Sequence, residues 1–83
     1  ARILKIFRYK NGKGILGVAV QEGLLKTGLI QITRAQEPVG ELVISSLQIG
    51  PESVRTVGAG AEGGVGIENA STDPLEGDIL VQK

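Results

Sequence analysis

The chain has 83 residues, 41% of them hydrophobic, with nine basic and nine acidic side chains and no His, Cys, Met or Trp. A domain of this size buries only about 60–65% of the surface that its unfolded chain exposes. Without Cys or His it lacks disulfide staples, thiolate sites, the usual zinc ligand and the usual catalytic base. Stability must therefore come from aliphatic packing and a closed hydrogen-bond network, since only Phe7 and Tyr9 are aromatic. No run approaches the ~18 apolar residues of a membrane span, and no secretory leader pattern opens the chain. One domain over 1–83 is expected, cytoplasmic and without a membrane partner. The lack of Met is read as processing, excision from a longer protein, or engineering.

Zero net charge hides an asymmetry. Residues 1–34 carry seven basic side chains against Glu22 alone, and residues 35–83 carry eight acidic ones against Arg55 and Lys83. This fits a nucleic-acid-facing surface on the basic half. It fits equally well two halves that attract each other within one barrel, or charge that is simply solvated.

Arg2 to Lys10 has two readings. Ile3, Leu4, Ile6 and Phe7 fit a helical stripe with Arg2, Lys5 and Arg8 opposite, but the segment is short and has no N-cap. Asn11-Gly12 is a hairpin signal, and Ile15 to Val20 beyond it reads as a strand. A hairpin needs a strand on each side, so Arg2 to Lys10 is expected to be one. Tyr9, between Arg8 and Lys10, reads either as a stacking surface for a base or ribose or as a core-edge aromatic with snorkelling neighbours.

Glu22-Gly23 ends the second strand, and Leu24 to Gly28 reads as a connection with both leucines tucked inward. Leu29 to Arg34 alternates, with Ile30 and Ile32 on one face and Gln31 and Thr33 on the other. Pro38-Val39-Gly40 is expected to break the chain before a longer strand from Glu41 to Ile49. Gly50-Pro51-Glu52-Ser53 is a further break, with Val54 and Val57 anchoring the loop on the core.

Gly58-Ala59-Gly60-Ala61-Glu62-Gly63 satisfies G-x-G-x-x-G, whose phosphate chemistry needs a helix opening on the third glycine. The stretch after it, Gly64-Val65-Gly66-Ile67-Glu68-Asn69, is rich in glycine and β-branched residues, which are poor helix formers. The 20 residues after Gly63 include Pro74, too few for a crossover helix and a second parallel strand. The glycine-rich segment therefore reads as a loop running into a fifth strand with Val65 and Ile67 inward. Its glycines fit either an amide nest for an anion or bends at a barrel corner. Ser71 to Gly77 is a turn, and Asp78 to Val81 the last strand.

Six short strands without a convincing helix predict an all-β fold, a small closed six-stranded antiparallel Greek-key β-barrel. Glu68, Asp73, Glu76 and Asp78 lack the spacing of a calcium loop, so no metal is expected. No cofactor and no catalytic residue are expected either. Gly12-Lys13-Gly14 is not a Walker loop, and no nucleophile accompanies Glu62 and Glu68.

Gly17-Val18-Ala19-Val20-Gln21-Glu22-Gly23, Gly28-Leu29-Ile30-Gln31-Ile32 and Glu76-Gly77-Asp78 resemble the short barrels that follow the GTPase domain in translation factors, the elongation factor Tu domain-2-like family. Ala61 to Asn69 and Leu75 to Leu80 look like the C-terminal barrel of bacterial translation initiation factor 2, without gaps from Ser46 to Leu80. The resemblance implies a non-catalytic binding module that contacts the aminoacyl-tRNA acceptor end or the ribosome. Initiator tRNA or ribosomal RNA is then the implied partner, and the chain a monomer or a domain within a larger GTPase.

Carried over by position, Glu62, Gly63 and Gly64 hold the loop that meets the tRNA end, and Val18 faces it. Arg2, Lys5, Arg8, Lys10 and Lys13 form the candidate RNA-facing patch. The chain also departs from the family. Val18 and Gly63 replace its two cysteines, and Gln48-Ile49-Gly50-Pro51 replaces a basic-aromatic stretch, with Ile49 where an arginine helps to hold the tRNA. Losing such contacts weakens binding to a phosphate-bearing terminus. The alternative expectation is a structural, reconstructed or designed barrel with no retained ligand.

Overall fold

The computed structural model describes residues 1–82. It contains β1 (Arg2–Lys10), β2 (Lys13–Ala19), β3 (Leu24–Lys26), β4 (Gly28–Arg34), β5 (Glu37–Ile49), β6 (Glu52–Val54), β7 (Thr56–Gly58), β8 (Glu62–Glu68) and β9 (Ile79–Gln82). Six of these close a barrel in the order β4, β9, β1, β2, β8, β5 and back to β4, every pair antiparallel. Because β8 and β9 insert out of sequence order, the wall is a Greek key, as predicted. β6 extends alongside β5, and β3 pairs with β7 in a separate ribbon.

The ambiguity of Arg2 to Lys10 has a structural cause. Pairing of β1 with β2 runs Ile3↔Val18, Lys5↔Gly17, Ile6↔Leu16 and Arg8↔Ile15, so the register slips once between Ile3 and Lys5 and again between Ile6 and Arg8. Leu4 and Phe7 are the extra residues of two bulges. Each bulge adds one residue to the strand's two-residue alternation, so Ile3, Ile6 and Tyr9 turn inward at every third position and pack on the core. A three-residue repeat of apolar side chains is what gives the segment its helix-like spacing. The strand expectation holds.

Two tight hairpins follow. Asn11 and Gly12 both have positive φ (53° and 80°), as a two-residue type I′ loop requires. Ala35 and Gln36 do the same (51° and 68°), joining Arg34 to Glu37. The expected break at Pro38-Val39-Gly40 is therefore corrected: β5 begins at Glu37 and runs through it. Pro38 is tolerated because β5 has no second neighbour until Val43 meets β8, and proline is accepted on such an edge. The connection after Gly23 is corrected too. Leu25 is buried opposite Val57, but Leu24 is 56% exposed, so one leucine and not both packs inward.

The core is aliphatic, drawn from alternate positions of the unbulged barrel strands, with Leu16 and Val18 of β2, Ile30 and Ile32 of β4, and Val65 and Ile67 of β8 all buried. Val65 and Ile67 lie inward as the alternation predicts.

Candidate nucleic-acid interface

On β2 the odd-numbered residues face outward, and the cross-strand register carries rows from β1 to β5. One row runs Lys5, Gly17, Gly64, Gln48, and the next Arg8, Ile15, Gly66, Ser46. Three glycines thus give this wall a floor without side chains. Around Gly17 and Gly64 it dips into a groove of about 500 Å³, bordered by Leu4, Lys5 and Phe7 on one side and Gln48 and Gly50 on the other, with Glu62 at one end. Phe7 is 61% exposed, and its ring lies close enough to Gly17 that a Cβ there would sit 3.0 Å from Cε2. Lys5 Nζ stands 5.4 Å from the centre of that ring, a cation–π distance.

The positions carried over from the family come together at this groove. Val18 pairs directly with Gly63, Gly17 with Gly64 and Ala19 with Glu62. Their side chains play different parts. Val18 is 1% exposed and belongs to the core, so it faces Gly63 from inside the barrel. A Cβ on Gly63 would meet the Gln48 carbonyl oxygen at 2.7 Å, whereas one on Gly64 would find nothing nearer than 3.9 Å. Gly63 permits a close backbone approach, and Gly64 opens the groove. Glu62 is exposed at its rim.

Arg2, Lys5, Arg8, Lys10 and Lys13 are all exposed along the first hairpin. Arg2, Lys5 and Arg8 oppose outward positions of β2, and Lys10 opposes Lys13 across the turn. Lys5 alone of the five borders the groove. Sequence reasoning missed Phe7, Leu4, Ile15 and Gly17, because nothing in the composition separates a bulged, exposed aromatic from a core one. Of its two readings of Tyr9, stacking surface or core-edge aromatic, the second holds: Tyr9 packs against the core. Its phenol is pushed above the usual tyrosine range, first by desolvation and then by its hydrogen bond to Asp73.

Of the two readings of the glycines, the structure favours bends over an amide nest. The Gly60 N–H donates to the Val20 carbonyl (2.8 Å) and the Ala61 N–H to that of Gly58 (3.2 Å), while Gly64 and Gly66 are paired on both sides by β2 and β5. Among the described residues no three His, Cys, Asp or Glu side chains gather as metal ligands. A second cavity, about 330 Å³, lies between Ala1, the Val20 to Leu25 turn and β9, and holds none of the carried-over positions.

No family profile and no solved structure matches the chain. It is 33% identical over 87 aligned residues to translation initiation factor IF-2 of Lachnospira eligens, an alignment covering 99% of this chain. The chain spans 9% of the length of that relative. The match along almost the whole chain and the closed six-stranded wall bear out the resemblance read from the sequence: the chain is similar to translation initiation factor IF-2, and its fold is that expected of a C-terminal barrel domain of such a factor.

Proposed function

We propose that this barrel is a non-catalytic binding module of the translation machinery that takes the acceptor end of an aminoacyl-tRNA, with the initiator tRNA as its first candidate. The observation that carries the reading is the meeting of Glu62, Gly63 and Gly64 with Lys5 and Phe7 at one groove, beside a hairpin bearing five exposed cations. Each part has a chemical task. The hairpin cations neutralise phosphates, which supplies most of the affinity for RNA and makes it fall with salt. Phe7 offers an exposed ring to a base or an apolar side chain. The glycine floor lets a ligand approach the backbone, and the Glu62 carboxylate accepts a hydrogen bond from an amine or hydroxyl.

The groove itself holds a single cation, Lys5, and the stretch from Gln48 to Pro51 supplies none. The phosphate contacts must come from the hairpin. A filter-binding titration against formylmethionyl initiator tRNA tests this. Salt-dependent binding in the micromolar range supports it; no binding at tens of micromolar favours a structural barrel with no retained ligand.

A further inference from the structure

We infer that Asn11 is a deamidation site, one that converts the tip of the basic hairpin from a neutral to an anionic turn. Asn11 is exposed, and among the described residues its side-chain amide has no hydrogen-bond partner. The next residue, Gly12, has no side chain to shield its own amide nitrogen. In the reaction that nitrogen attacks Asn11 Cγ. The new N–Cγ bond forms as the Cγ–Nδ2 bond of the amide breaks, ammonia leaves, and a five-membered succinimide results. Water then opens the ring to aspartate, or to iso-aspartate with the backbone running through Cβ.

A tight type I′ turn resists the rotation that this attack needs, so the rate depends on how often the tip opens. Two features loosen it. Lys10 and Lys13 are direct cross-strand partners, and like charges so placed destabilise a ladder. Beyond that pair, two contacts among the described residues hold the turn to the rest of the barrel: Ala70 N–H to the Gly12 carbonyl, 3.1 Å, and the Gly12 N–H to the phenol oxygen of Tyr9, which must let go before that nitrogen can attack. Hairpin tips held this lightly open most often. The product then places a carboxylate between two lysines, which it attracts and which stabilise it.

The molecule carries its own comparison. Asn69 also has positive φ (55°) and is exposed, but Ala70 follows it, and a Cβ hinders the attacking nitrogen. Purified protein incubated in mildly alkaline buffer should be digested and mapped by mass spectrometry. The peptide holding Asn11 should gain the mass of an amide turned acid, at least tenfold faster than the peptide holding Asn69, and the intact protein should shift toward the acidic side on isoelectric focusing. Asn11→Gly, which suits the positive φ, should fold alike and lose the acidic shift. Equal rates at the two asparagines, an Asn11 that keeps its amide, or an acidic shift surviving in Asn11→Gly would overturn the inference. Since the readout is mass and charge, the outcome is independent of whether the groove binds RNA.

Discussion

Arg34 grips Asp78 with two parallel bonds, Nε to Oδ1 at 2.9 Å and Nη2 to Oδ2 at 2.7 Å, and Asp78 is only 4% exposed. The Leu75 N–H donates to the same carboxylate at 2.9 Å, and Arg34 also reaches the Asp73 carbonyl. This fork pins the last turn onto the end of β4, one step beyond the β4–β9 ladder that runs from Ile30↔Gln82 to Thr33↔Ile79. The Arg34 guanidinium holds the Asp78 carboxyl below its usual range, against an opposing push from burial.

Removing Arg34 should strand a nearly buried carboxylate. Arg34→Met leaves that carboxylate without its charged partner, so the urea midpoint of the variant should fall below that of the wild type. The lowered pKa fixes the sign of the pH dependence. The contribution of Asp78 is complete above the ordinary carboxylate value of about 4 and is lost as pH falls through the lower folded value. Urea midpoints taken across that acid range should therefore fall more steeply for the wild type than for Asp78→Asn.

Ile67 sits inward on β8 opposite Ile44 and is buried. Ile67→Ala should cost about 2–4 kcal/mol, as large-to-small core changes do. A urea midpoint that barely moved would mean that β8 is out of register by one residue.

Gln36 holds φ at 68° without the glycine or asparagine that such turns favour. Gln36→Gly should relieve the left-handed strain, worth about 1 kcal/mol net of the entropy that glycine adds to the unfolded chain. A thermal midpoint that falls rather than rises would count against it.

That same turn shows where the sequence misleads. Ala35-Gln36 carries no turn signal, so Pro38-Val39-Gly40, two residues later, takes the break that belongs to it. Alternation made β2, β4 and β8 legible because each has one face in the core and one in solvent. β1 was harder, since two bulges replace its alternation with a three-residue repeat. The groove was legible only by resemblance. Glu62, Gly63 and Gly64 could be placed by their match to a family, but Phe7 and Gly17 meet through a bulge whose register no local pattern announces.

Gly64 separates the groove from the fold. Its Cβ would make only an ordinary contact, with the Leu16 carbonyl oxygen at 3.9 Å, so Gly64→Val should change stability by no more than about 0.5 kcal/mol, as surface substitutions generally do. It fills the groove floor, and initiator tRNA affinity should fall about tenfold, equivalent to ~1.4 kcal/mol. Undiminished affinity in a normally folded variant would move the ligand off this wall.

The basic hairpin carries the most direct test of RNA binding. Arg8→Glu with Lys10→Glu should leave the fold intact, because exposed charges contribute little to stability. Binding isotherms for initiator tRNA at two salt concentrations, wild type beside the double variant, give the affinity and the salt slope together. The binding-module account predicts weaker binding and a slope shallower by about one to two phosphate contacts. Identical slopes would contradict the hairpin's role, and no binding by either protein would contradict the account as a whole.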